Sequence, residues 1–123
     1  MAVKKALVID DSPYNRSLLS AMLRRMEMSV ELAEDGEAGV EKFKTFHPDI
    51  VFLDYIMPKM GGVEALQEIR KIDSKVVLVM VTSISASDQV AEAKTAGANA
   101  YILKPYVAEK IREILKNFAM IQQ

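Results

Sequence analysis

The chain has 123 residues, half of them apolar and 27% charged, with a formal net charge of −1. That length supports one hydrophobic core and is short for two, so a single domain over residues 1–123 is expected. The near-neutral balance offers no steering toward nucleic acid or an anionic membrane surface, and with no cysteine the chain has no disulfide or thiolate chemistry.

The first apolar run, Ala6-Leu7-Val8-Ile9, stops at Asp10-Asp11. It is too short for a secretory signal or a membrane span. Ser12-Pro13 then reads as an N-cap followed by proline in the first helical turn. Tyr14, Leu18, Leu19, Met22, Leu23 and Met26 recur at helical spacing after it. Val30 and Leu32 alternate with Glu31, a half-exposed pattern that suits an edge strand. Gly36 to Phe46 reads as a second helix, ended by His47-Pro48 because the residue before proline is pushed away from helical dihedrals.

A third strand, Ile50-Val51-Phe52-Leu53, runs into Asp54. The third helix carries Val63, Leu66, Ile69 and Ile72 on one stripe. Val76 to Val81 gives a fourth strand that ends at Thr82. An alanine-rich helix over about Ser87 to Ala96 closes at Gly97, a residue suited to a left-handed cap. Ala100-Tyr101-Ile102-Leu103 gives way to Lys104, and a fifth helix carries Val107, Ile111, Ile114, Leu115 and Phe118.

Short β-branched runs alternating with helices predict an α/β fold, a doubly wound five-stranded parallel sheet flanked by five helices. An edge position for the second strand agrees with the order 2-1-3-4-5. The carboxyl ends of parallel strands lie along one sheet edge, where open α/β sheets place their ligands. Asp10, Asp11, Asp54, Thr82 and Lys104 would then share one crevice.

Three carboxylates there repel at about 4 kcal/mol per pair at about 4 Å and an effective dielectric near 20. A compensating cation is needed, and a hard one with oxygen ligands fits. Mg²⁺ commonly takes one or two carboxylates plus phosphate oxygens, whereas one histidine and no cysteine disfavour zinc. An aspartate can attack phosphorus and form an acyl phosphate, a reaction governed by positioning and electrostatics. Asp54, alone at a central strand end, is the best nucleophile candidate. Asp10 and Asp11 are better placed to hold metal, and Lys104 and Thr82 to hold phosphoryl oxygens.

With its surrounding motifs, this constellation resembles the receiver domain of two-component response regulators. The carrying segments are Val8-Ile9-Asp10-Asp11-Ser12, Leu53-Asp54-Tyr55-Ile56-Met57-Pro58-Lys59-Met60-Gly61-Gly62, Thr82-Ser83 and Tyr101-Ile102-Leu103-Lys104-Pro105. The resemblance implies a flavodoxin-like, stand-alone signalling switch that acts chemically only on itself. Asp54 would accept a phosphoryl group from a histidine kinase or phosphotransfer protein. It further implies Mg²⁺ on Asp10, Asp11, Asp54 and the backbone carbonyl of Ile56, with Lys104 on the phosphate and pairing with Asp54 before phosphorylation. Thr82 would be the switch hydroxyl, Tyr101 the aromatic coupled to it, and Pro105 would follow a cis peptide bond.

The implied output is a changed surface on the fourth helix, fifth strand and fifth helix, with Gln89, Glu92, Lys94, Tyr101, Lys110 and Glu113 as contact candidates for a downstream protein. A cytoplasmic location is expected, without membrane or direct nucleic-acid partners, and homodimerisation on phosphorylation stays open. Against the family pattern, Gly61 replaces a side chain able to cap the third helix, so a looser loop is expected. Tyr106 replaces the usual phenylalanine, a mild change. Ile56 and Ile84 flank the route of a hydrolytic water and cannot orient it, which predicts slow self-dephosphorylation.

Three other readings remain. A haloacid-dehalogenase-type phosphohydrolase would show Asp-x-Asp after its first strand, where this chain has Asp10-Asp11. A pseudo-receiver serving only as an interaction module would not need all five pocket groups. A flavin-binding module would need a loop rich in Ser, Thr and Gly after the first strand.

Overall fold

The computed structural model describes residues 3–83 and 87–121. Strands and helices alternate as β1 (Lys5–Ile9), α1 (Pro13–Arg25), β2 (Ser29–Ala33), α2 (Gly36–Phe46), β3 (Ile50–Asp54), α3 (Gly62–Ile72), β4 (Val77–Thr82), α4 (Ser87–Ala96), β5 (Ala100–Leu103) and α5 (Ala108–Asn117). The strands form one parallel sheet in the order β2-β1-β3-β4-β5. The expected doubly wound arrangement is therefore present, with β2 at an edge.

Successive strand residues face opposite sides of the sheet, and each side packs its own core. Ala6, Val8, Ile50, Phe52, Val79 and Val81 meet Leu19 and Leu23 of α1 and Ile111, Ile114 and Leu115 of α5. On the other side, Leu7, Ile9, Val51, Leu53, Leu78 and Met80 meet Val40 and Phe43 of α2, Leu66 and Ile69 of α3, and Ala93 of α4. β1 and β3 are buried almost throughout, which is why their sequences read as continuous apolar runs.

The helix ends follow local chemistry. The Ser12 hydroxyl accepts from the Asn15 N–H at 3.3 Å, with Pro13 opening α1. Asp35 caps α2 in the same way through the Ala38 N–H at 2.7 Å. His47 ends α2 in the left-handed region at φ 53°, and Gly97 follows α4 at φ 116°. Three residues at helical spacing stay outside the core: Tyr14, Ile72 and Val107 are exposed. Each sits at the first turn, the last residue or the cap of its helix, where the stripe has run past the sheet.

Helix anchoring is uneven. Burying an isoleucine or leucine contributes about 1.5–3 kcal/mol and one methyl about 0.8 kcal/mol. α5 buries Ile111, Ile114 and Leu115, whereas α4 buries only Ala93 among its described residues. α4 is thus the helix with the weakest apolar hold on the sheet.

Candidate functional site

Asp10 follows β1, Asp54 ends β3 and Thr82 ends β4, all three buried, while Lys104 follows β5. The parallel register brings these ends together. One carboxylate oxygen from each of Asp10, Asp11 and Asp54 lies within 4.8 Å of the others. Asp11 is the exposed member of this trio. Lys104 Nζ lies 3.0 Å from Asp10 Oδ2 and 3.4 Å from Asp54 Oδ1, so the ammonium bridges two acids. Its pairing is tighter with Asp10 than with Asp54.

Backbone geometry holds each group. The Asp10 N–H donates to the Ala33 carbonyl at 3.1 Å, fixing the end of β1 against β2. Asp10 Oδ1 accepts from the Ser12 N–H at 2.8 Å, and the Arg16 guanidinium donates to the Asp10 carbonyl at 2.6 Å. The Lys104 N–H donates to the Thr82 carbonyl at 2.7 Å, and the Lys104–Pro105 peptide is cis. The Thr82 and Tyr101 side chains share a hydrogen bond.

Electrostatics single out Asp54. Its pKa is raised to about 6, first by burial and next by the neighbouring Asp10, with Lys104 opposing both. At neutral pH the group is still mostly ionised, so it can serve as a nucleophile. The cost of keeping it charged is what a cation or a covalent partner would relieve.

Several contacts here were not visible in the pattern of residues. The Tyr106 hydroxyl, buried beneath the pocket, donates to Asp10 Oδ2 at 3.5 Å. Burial and the nearby Asp10 and Asp54 carboxylates push its pKa well above the usual phenol range. The phenol thus adds a polar group where phenylalanine would add none. Arg16 anchors the loop carrying Asp10 and Asp11 through its bond to the Asp10 carbonyl. Ile56 lies exposed on the loop beyond Asp54. Ile84, expected beside the same route, lies outside the described residues.

Glycine shapes the loop after β3. Gly61 is the N-cap of α3 with no side-chain cap bond, and a Cβ there would come no closer than 3.9 Å to the Tyr55 carbonyl. At Gly62 a Cβ would stand 2.2 Å from the Asp54 carbonyl oxygen and 2.8 Å from Tyr55 Cα. The helix can approach the end of β3 this closely only because residue 62 has no side chain.

The family model of the response regulator receiver domain matches residues 6–116. The chain belongs to this family. The receiver is 34% identical over 114 residues to the chemotaxis protein CheY of Halobacterium salinarum, an alignment covering 93% of this chain and 95% of that protein. Vibrio cholerae chemotaxis protein CheY4 superimposes with a TM-score of 0.91 at 28% identity, covering 95% and 99% of the two chains. The Borrelia burgdorferi CheX–CheY complex with BeF3 and Mg²⁺ contains a chain matched at TM-score 0.89 and 28% identity, over 94% of this chain and 89% of that one. This is therefore a CheY-like receiver domain of two-component signalling. No helix among the described residues is long and apolar enough to cross a membrane.

Proposed function

We propose that this receiver domain is a phosphorylation-activated switch that accepts a phosphoryl group on Asp54 with the help of Mg²⁺. The observation that carries the reading is the bridged acid cluster. Asp54 is buried at a central strand end within one carboxylate trio, and Lys104 lies between it and Asp10.

The donor set fits a hard divalent cation, since it offers three carboxylate oxygens within 4.8 Å of one another and no sulfur. Asp10, Asp11, Asp54 and the backbone carbonyl of Ile56 would hold it. When bound, Mg²⁺ would offset negative charge on the trio and on a phosphoryl oxygen. Asp54 attacks phosphorus, an acyl phosphate forms, and the bond to the donor breaks, its electron pair leaving with the donor. The donor in the cell is a histidine kinase or histidine phosphotransfer protein, and the leaving group is then the histidine imidazole. The Lys104 ammonium holds one phosphoryl oxygen and the Thr82 hydroxyl donates to another.

Thr82 and Tyr101 carry the change outward to the face formed by α4, β5 and α5. Gln89, Glu92, Lys94, Tyr101, Lys110 and Glu113 are its contact candidates for a downstream protein in the cytoplasm. Moving a switch from 1:99 to 99:1 requires about 5.5 kcal/mol of differential stabilisation. A doubly charged group held by Mg²⁺ and Lys104 is of the right order to supply it.

Incubation with acetyl phosphate and Mg²⁺ followed by intact mass tests the reading. The parent is expected to gain one phosphoryl group and Asp54→Ala none. Equal uptake by both would exclude Asp54 as the acceptor. A second expectation concerns lifetime. Ile56 offers no group to orient a hydrolytic water, so Ile56→Asn is expected to shorten the phosphoryl half-life roughly tenfold. A parent half-life of seconds that the substitution leaves unchanged would contradict this.

A further inference from the structure

With only Ala93 buried, α4 depends on polar ties for its position. Two are present. Arg70 of α3 reaches past the carboxyl end of α4, where its Nε and Nη2 donate to the Gly97 carbonyl at 3.0 and 2.8 Å. The same guanidinium donates to the Val76 carbonyl at 2.6 Å and to Asn99 Oδ1 at 2.7 Å, so that end of α4 is pinned to α3 and to the start of β4.

The second tie comes from the phosphoacceptor strand. The Tyr55 hydroxyl donates to the Glu92 carboxylate on α4 across 37 positions of sequence. Tyr55 directly follows Asp54, and its backbone has little freedom: its N–H donates to the Val81 carbonyl and its carbonyl accepts from the Gly62 N–H, each at 2.9 Å. A bond to a charged acceptor is also among the stronger kinds of hydrogen bond.

We propose that the Tyr55–Glu92 hydrogen bond is a latch that makes α4 respond directly to the state of Asp54, in parallel with the route through Thr82 and Tyr101. The proposal rests on Asp54 being the phosphoacceptor. A group added to Asp54 acts on the residue immediately before Tyr55, whose side chain already holds α4. Thr82 acts at the end of β4 and Tyr101 from within β5 instead. The latch therefore gives Tyr55 a positioning role without placing it in the pocket.

Hydrogen–deuterium exchange of the full chain tests this, read on peptides covering residues 87–96 with residues 108–117 as internal reference. Without added ligand, Tyr55→Phe and Glu92→Ala are expected to speed exchange in α4 about fivefold and leave α5 unchanged. Glu92→Gln should fall between them and the parent, because its amide oxygen still accepts. Equal α4 exchange in all four proteins, or an equal rise in both helices, would overturn the latch. With Mg²⁺ and beryllium trifluoride, a tetrahedral stand-in for the phosphoryl group, Thr82→Ala is expected to keep part of the α4 response. Thr82→Ala with Tyr55→Phe should lose it, and an undiminished response would overturn the parallel route. Fluorine NMR of the same samples reads occupancy of Asp54. Absent occupancy in the parent counts against the phosphoacceptor reading, while the ligand-free exchange decides the latch separately.

Discussion

Asp54→Asn is expected to be more stable than the parent in Mg²⁺-free buffer above pH 6, by up to about 3 kcal/mol, while accepting no phosphoryl group. The magnitude follows from the Asp54 pKa of about 6 against an ordinary 3.8, at about 1.36 kcal/mol per unit. The sign follows from proton linkage. Folded Asp54 binds its proton more tightly than the unfolded chain does, so parent stability falls as pH rises from about 4 to 6. Asparagine carries no such cost. The two proteins should therefore be equally stable below about pH 4 and diverge through that window. Lys104 is not orphaned by the change, because it keeps Asp10 at 3.0 Å. Mg²⁺ should narrow the gap by stabilising the parent more than the variant. Urea unfolding at several pH values checks the expectation, and a difference that is constant from pH 3.5 to 7.5 would contradict it.

Gly62→Ala is expected to lose about 3 kcal/mol of stability and to slow phosphoryl uptake about a hundredfold. The new Cβ would stand 2.2 Å from the Asp54 carbonyl oxygen and 3.0 Å from its carbonyl carbon, both backbone atoms that no rotamer can move aside. Overpacking of this kind costs about 1–3 kcal/mol. Relief requires α3 or the end of β3 to shift, and a displacement near 1 Å at a reacting group costs about a hundredfold in rate. Gly61→Ala is the matched control, since its Cβ would meet only the Tyr55 carbonyl at 3.9 Å. Urea unfolding and the acetyl phosphate uptake rate of the two variants should separate them clearly. Similar behaviour of both would show that close approach at residue 62 does not set the pocket.

The strand ends were legible in the sequence for a physical reason. Strands buried on both faces need unbroken apolar runs, and an abrupt polar residue marks where the run leaves the core, as Ile9-Asp10 and Leu53-Asp54 do. The half-exposed Val30-Glu31-Leu32 pattern placed β2 at the edge by the same logic. Helical spacing was less discriminating. It grouped Tyr14, Ile72 and Val107 with the core, because periodicity reports a face and says nothing about how far along the helix the sheet extends.

What the sequence hid were contacts between distant residues and distances between close ones. Tyr55 and Glu92 carry no common motif, and their bond depends on where α4 lies. Tyr106 reads as a mild replacement of phenylalanine, and only the fold brings its hydroxyl to Asp10. Gly61 and Gly62 are identical neighbours in sequence, yet a Cβ at the first would come no closer than 3.9 Å to the Tyr55 carbonyl, and at the second it would stand 2.2 Å from the Asp54 carbonyl oxygen.

The most direct measurement combines location and cation dependence. The protein is treated with acetyl phosphate with and without Mg²⁺, quenched, digested, and mapped by tandem mass spectrometry. One phosphoryl group on Asp54, formed only with Mg²⁺ and lost in Lys104→Ala, is the expected result. Phosphoryl on another residue, or uptake at Asp54 indifferent to both Mg²⁺ and Lys104, would contradict the account.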